Sequence, residues 1–174
     1  MAETERTFAE LQALLATNGA EDISAQDLRD LMVTALGGYA MLGVVGNATP
    51  QALTAVPAKV VAFDTAGPER GCASSVPNSQ ITVGAAGDYN VTWHTSALTS
   101  VAGASIVEVV LYADAVAVVL LHSHRDFSPN SPGSFSFAGI ATLAAGAVLE
   151  VRATATPDKS TTFEDAQLTV KRVG

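Results

Sequence analysis

The stretch Gly87-Asp88-Tyr89-Asn90-Val91-Thr92-Trp93-His94 alternates large apolar side chains (Tyr89, Val91, Trp93) with polar ones (Asn90, Thr92, His94). Successive residues of a β-strand point to opposite faces, so a period of two marks a strand with one face in a core and one face outside it. Trp93 then points inward with Tyr89. It reads as core rather than as half of a sugar-stacking surface with His94. The preceding Gly84 to Asp88 reads as a turn. It is not a phosphate loop, because the lysine and the following helix are missing.

Working outward, the same rhythm continues in both directions. Lys59 to Asp64 and Gln80 to Val83 read as strands before it, separated by a long Gly-, Pro- and Ser-rich loop, Thr65 to Asn78. After it come Ser105 to Tyr112 and Ala115 to His122, joined by a tight turn at Ala113-Asp114. Their near-continuous apolar content predicts that both faces are covered. A second long loop, Arg125 to Gly133, leads to Phe135 and Phe137 alternating with serines. Leu149 and Val151 alternate with Glu150 and Arg152, and Leu168 and Val170 alternate with Thr169 and Lys171. About eight such strands without crossover helices predict a mainly β fold, an antiparallel jelly-roll sandwich over residues 58–174, and exclude a parallel α/β sheet.

Ahead of it, the pattern changes to helical. Thr7 with Glu10 three residues on is a capping box, and Phe8, Leu11, Leu14 and Leu15 share one face until Asn18-Gly19. Ser24 caps a second helix with the stripe Leu28, Leu31, Met32 and Leu36, stopped by Gly37-Gly38. Helices this short are marginal alone, so their apolar faces need a partner. Sister chains or a larger assembly supply one; a hairpin tucked onto the β domain is the alternative. Residues 1–41 are therefore expected to be an attachment or stalk segment, and 42–57, with Gly43, Gly46, Asn47-Ala48-Thr49-Pro50 and Pro57, a linker.

The 174 residues are 48% hydrophobic and 15% charged, and mean hydropathy is +0.31. The longest apolar run, Ala115 to Leu121, is too short to span a bilayer, so the surplus apolar surface points to a subunit interface rather than membrane insertion. A net charge of −8 and no basic run argue against nucleic-acid binding. Met1 to Thr7 is acidic and polar with no signal-peptide core behind it, and Cys72 is the only cysteine. Synthesis in a reducing cytoplasm, with no disulfide, is the expectation.

Two resemblances enter here. Gly87-Asp88-Tyr89-Asn90-Val91-Thr92-Trp93, Phe137-Ala138-Gly139 with Leu143-Ala144-Ala145-Gly146 leading into Leu149-Glu150-Val151, and the closing Leu168 to Val173 resemble strands of the tumour-necrosis-factor and complement-globular-head superfamily. That resemblance implies a homotrimer. Arg6 to Leu11 and Ile23 to Leu31 resemble the leading segment of tailed-bacteriophage fibre and head-decoration proteins, which implies a virion structural protein made in the host cytoplasm. The collagen-like stalk usual in complement-type heads is missing.

For chemistry, His122-Ser123-His124 places two imidazoles on one side of a strand. Three chains would bring six to a divalent metal, though a polar strand end is the plainer reading. Asp114, Asp126 and Asp158 lie in turns or loops without the density a calcium loop needs. No nucleophile elbow is present. Cys72 near Arg70 has no neighbouring histidine in sequence. No enzyme and no cofactor are expected. The helix stripes are the expected attachment and oligomer surface. Glu69, Arg70, Arg125, Asp126, Phe127 and Asn130, in the two long loops, are candidates for recognition at a tip, with a host-surface glycan or protein as partner. The expected function is a trimeric phage head fibre or capsid decoration protein bound to other virion proteins. The rivals are a tail-fibre or baseplate tip and a soluble bacterial lectin-like protein.

Overall fold

The computed structural model describes residues 37–99, 103–129 and 131–173, and in addition Glu10 and Ala13, both helical. The rest of the two predicted helices, with Phe8, Leu11, Leu14, Leu15, Leu28, Leu31, Met32 and Leu36, lies outside the described residues, as does Asn130. Among the described residues, twelve strands form two six-stranded antiparallel sheets.

The first sheet runs in the order β10 (Pro132–Leu143), β7 (Gly87–Thr99), β12 (Lys159–Arg172), β1 (Tyr39–Val44), β4 (Thr65–Ala66), with β2 (Gln51–Leu53) also on β12. The second runs β5 (Cys72–Ser75), β6 (Gln80–Val83), β11 (Val148–Thr156), β8 (Ser105–Ala113), β9 (Val116–Phe127), with β3 (Ala58–Lys59) also on β11. From β6 onward the chain passes back and forth between the sheets, leaving β8 and β9 as the one hairpin, which is jelly-roll connectivity.

Period-two patterning closes the core. Tyr89, Val91 and Trp93 of β7 and Leu168 and Val170 of β12 are all buried between the sheets. Trp93, 1% exposed, meets Phe63 at 5.7 Å and Phe163 at 6.4 Å in edge-to-face packing, the arrangement that aromatic quadrupoles favour. The expected inward Trp93 is thus found.

Three expectations are corrected. The linker expected at 42–57 holds part of the sandwich: β1 pairs with β12 from Tyr39↔Lys171 to Val44↔Ala166, and Leu42 is fully buried. Gly43 and Gly46 read as breakers, but a glycine at a strand position still offers its N–H and C=O to a neighbour. The long loop expected at 65–78 contains β4 and β5, short edge strands, β4 paired with the more distant β1 and β5 with the following β6. The loop expected at 125–133 shrinks to 128–131, since β9 continues to Phe127 and β10 starts at Pro132.

The β8–β9 hairpin has a tight turn one residue later than the expected Ala113-Asp114, with φ of 49° at Asp114 and 64° at Ala115. Both central residues in the left-handed region match the right-handed twist of the strands they join.

Candidate functional site

The β9 strand departs from the expectation of two covered faces. Val110 pairs with His122 and Tyr112 with Ala117, so Val118 to Leu121 all stand opposite Leu111. A bulge that large pushes side chains off the sheet plane. His122 Nδ1 lies 2.8 Å from the Val119 carbonyl across it. Leu121 turns into the core, while Val119 and Leu120 turn out, Leu120 with 89% of its surface exposed.

β9 and β10 are the outer strands of their two sheets on the same flank of the sandwich. Glycines on β10 let β9 side chains lie across it. Leu121 occupies the space beside Gly139, and Arg125 the space beside Gly133, where its Nη1 donates to the Ser134 carbonyl at 2.8 Å. Ile140, next to Gly139 on β10, is 67% exposed. Val116, Val119 and Leu120 on β9 and Ile140 on β10 are thus exposed apolar residues of the two edge strands on this flank. Fully burying each is worth about 1.5–3 kcal/mol.

The outer face of the first sheet is the opposite kind of surface. Thr92, His94, Ser136, Ala138, Gln167 and Thr169 point away from the core and are short or uncharged for the most part. A cleft of about 380 Å³ crosses it, lined by Met41, Gly43, His94, Asp165 and Gln167 among others. Asp165 sits at a bulge in β12. Its Oδ1 accepts from the Gly46 N–H at 2.9 Å and its Oδ2 from the Ser96 hydroxyl at 3.0 Å. These hydrogen bonds, the Gly46 one foremost, hold its carboxyl below the usual aspartate value.

The expected recognition residues do not converge. Arg70 pairs through its backbone with Tyr39, at the end of the sandwich where residue 37 joins. Glu69 accepts there from the Ser74 N–H at 2.7 Å. Arg125, Asp126 and Phe127 lie at the other end of β9. Phe127 is buried against Phe135 at 5.9 Å and is core, not tip. Arg125 covers the Phe127 ring at 5.7 Å, and Asp126 is exposed.

His122 and His124 are exposed on the outer edge strand, and among the described residues no group of three or more His, Cys, Asp or Glu converges as a metal site. Asp114 caps the β8–β9 turn by accepting from the Val148 N–H at 2.9 Å, far along the strands from Asp126. Cys72 lies on β5, buried beside Gly38.

No family model matches this chain, and no curated protein does. Solved structures do. A tumour necrosis factor, Eiger, from S. frugiperda aligns with a TM-score of 0.58 at 17% identity, covering 79% of this chain and 94% of that one. The globular domain of zebrafish complement 1qA protein aligns with a TM-score of 0.57 at 14% identity, covering 79% and 98%. At these identities the likeness is one of fold, and the fold it shows is the jelly roll of tumour necrosis factor and complement globular heads.

Proposed function

We propose that this chain is a non-enzymatic virion structural protein, a head fibre or capsid decoration protein, whose N-terminal segment binds the particle and whose jelly-roll domains project as a homotrimer. The observation that carries the reading is the pairing of two unlike surfaces on one sandwich. The exposed apolar residues Val119, Leu120 and Ile140 and the cleft-bearing, mostly uncharged outer face of the first sheet read as surfaces left incomplete in a single copy. A flank of one copy seated on the face of the next is a head-to-tail contact, which closes into a ring. Three is the number implied by the family resemblance.

The direction of the chain supports the attachment half of the reading. The Arg172 N–H donates to the Gly38 carbonyl at 2.7 Å, so β12 finishes beside the point where residues 1–36 join. The loops at 45–50, 128–131 and 157–158 lie at the other end. The N-terminal segment, whose sequence predicts two apolar helix faces, joins at one end, and the loops are presented at the other. Three copies would multiply a modest attachment affinity.

Sedimentation equilibrium tests the assembly. The wild type is expected as a trimer and the Leu120→Asp, Ile140→Asp double variant as a folded monomer; a monomeric wild type overturns it. Co-sedimentation with parent particles tests the attachment. Leu31→Asp is expected to abolish it with the β circular-dichroism signal intact, and normal binding by that variant overturns it. Negative-stain localisation on the tail instead of the head would select the tail-fibre rival.

A further inference from the structure

The outer face of the second sheet, which neither surface above uses, holds a cluster with chemistry of its own. Glu150 on β11 points away from the core, yet is only 4% exposed. Lys59 from β3, Arg152 from β11 and Gln80 from β6 close over it. Lys59 Nζ lies 2.7 Å from Oε2, the Gln80 amide donates to Oε2 at 3.0 Å, and Arg152 Nε donates to Oε1 at 2.6 Å. The Arg152 guanidinium also rests on the Tyr112 ring at 4.4 Å. Lys59, Gln80, Glu150 and Arg152, with Asp114, Ala115 and Val148, line a depression of about 470 Å³.

Two cations in a chain of net charge −8 are thus drawn together and held still by one shared carboxylate. Glu150 spends its acceptors on them, but they keep donors. Arg152 Nη1 has no partner among the described residues, and Lys59, besides Glu150, reaches only the Asn78 carbonyl at 3.3 Å. A fixed guanidinium loses little freedom when it binds, which is what makes a weak contact count. Acceptors stand beside these donors: the second oxygen of Asp114 and the amide oxygen of Gln80.

We infer that this depression binds a singly charged acidic sugar, a uronate residue of a surface polysaccharide, with its carboxylate on Arg152 and Lys59 and its hydroxyls on Asp114 and Gln80. The charge balance selects that class. Two cations and two carboxylates balance, so a single ligand carboxylate on Arg152 Nη1 and Lys59 adds one negative charge, a phosphate dianion would add two and meet Glu150 and Asp114 at greater cost, and a neutral sugar would form no charge-assisted ion pair with Nη1. The inference stands independently of the virion reading, since the site lies within one copy.

Saturation-transfer and shift-perturbation NMR on the full chain tests it, with glucuronate, glucose and inorganic phosphate as probes. Glucuronate is expected to bind saturably, on the order of millimolar for so few contacts, and at least about tenfold better than glucose or phosphate. Arg152→Gln and Lys59→Met, each leaving Glu150 one cation, are expected to weaken glucuronate at least about tenfold with the β signal unchanged. The inference is overturned by glucuronate that does not saturate, by glucose or phosphate binding equally well, or by unchanged affinity in whichever variants fold. Trimer formation is read separately by sedimentation, so loss of one result leaves the other standing.

Discussion

Glu150 shows how a charged residue survives on a strand that otherwise buries its side chains. Burial pushes its carboxyl up; hydrogen bonds from Lys59, Gln80 and Arg152 and the charge of Lys59 outweigh that, and the net shift is downward. A carboxyl held below its ordinary value of 4.5 stabilises the fold above that pH, and the stabilisation is lost as pH falls through the folded value. Glu150→Gln keeps the shape and removes the charge. It is expected to cost about 1–2 kcal/mol at neutral pH, since both cations are partly exposed and can hydrate. Urea unfolding as a function of pH checks this: the wild type should lose that margin below about pH 4.5, and the variant should not. The same scale explains why the recognition candidates scattered. Phe127 looked like a loop aromatic in sequence, but its partner Phe135 sits across the 128–131 turn, and that contact makes it core.

Among the elements, β12 has three strands bonded to it, β7, β1 and β2. Its register shifts between Phe163 and Asp165. The extra residue is held in place by Asp165, which ties the bulge to Gly46 after β1 and to Ser96 on β7. Charge-assisted bonds of this kind weaken when the carboxylate is neutralised. Asp165→Asn is therefore expected to melt at a lower temperature than the wild type at neutral pH. The gap should close in acid, because a lowered pKa gives stability above 3.8 that disappears as pH falls below it. Thermal melts at pH 7 and pH 3 measure the difference; a gap that persists undiminished in acid means the bulge is held by something else.

At the scale of the molecule, the sandwich begins at β1, and its boundary decides what can fold alone. A chain starting at residue 37 retains all twelve strands; one starting at 58 loses β1 and β2, leaving β4 without its partner and the inner edge of β12 bare. Leu42 and Leu53, both buried, go with them, and large core deletions cost about 2–5 kcal/mol each. The 37–174 fragment is expected to unfold cooperatively in urea and the 58–174 fragment to be unfolded or aggregated. Cooperative unfolding of the shorter fragment would mean that β1 is an accessory strand. If the assembly closes as proposed, the melting temperature of the longer fragment also rises with protein concentration.

The amino-acid sequence by itself determined that the chain is a β sandwich. Tyr89-Val91-Trp93, Leu149-Val151 and Leu168-Val170 carry period-two patterning strong enough to assign strand and face without any partner being known, because burial on one side is a local demand on composition. It also located the β8–β9 turn to within one residue. Whether the N-terminal stripe is helical lies outside the described residues. What the tertiary structure decided is everything that depends on a neighbour far along the chain. β1 and β4 have little alternation of their own and exist because β12 and β1 offer them hydrogen bonds. The run Ala115 to Leu121 reads as a strand covered on both faces, and only the bulge against Leu111 shows that Val119 and Leu120 face solvent. Glu150, Lys59 and Arg152 sit on two strands separated by about ninety residues of chain, and no spacing rule could have joined them. Local pattern reports what a residue needs; only the packed chain reports which residue meets it.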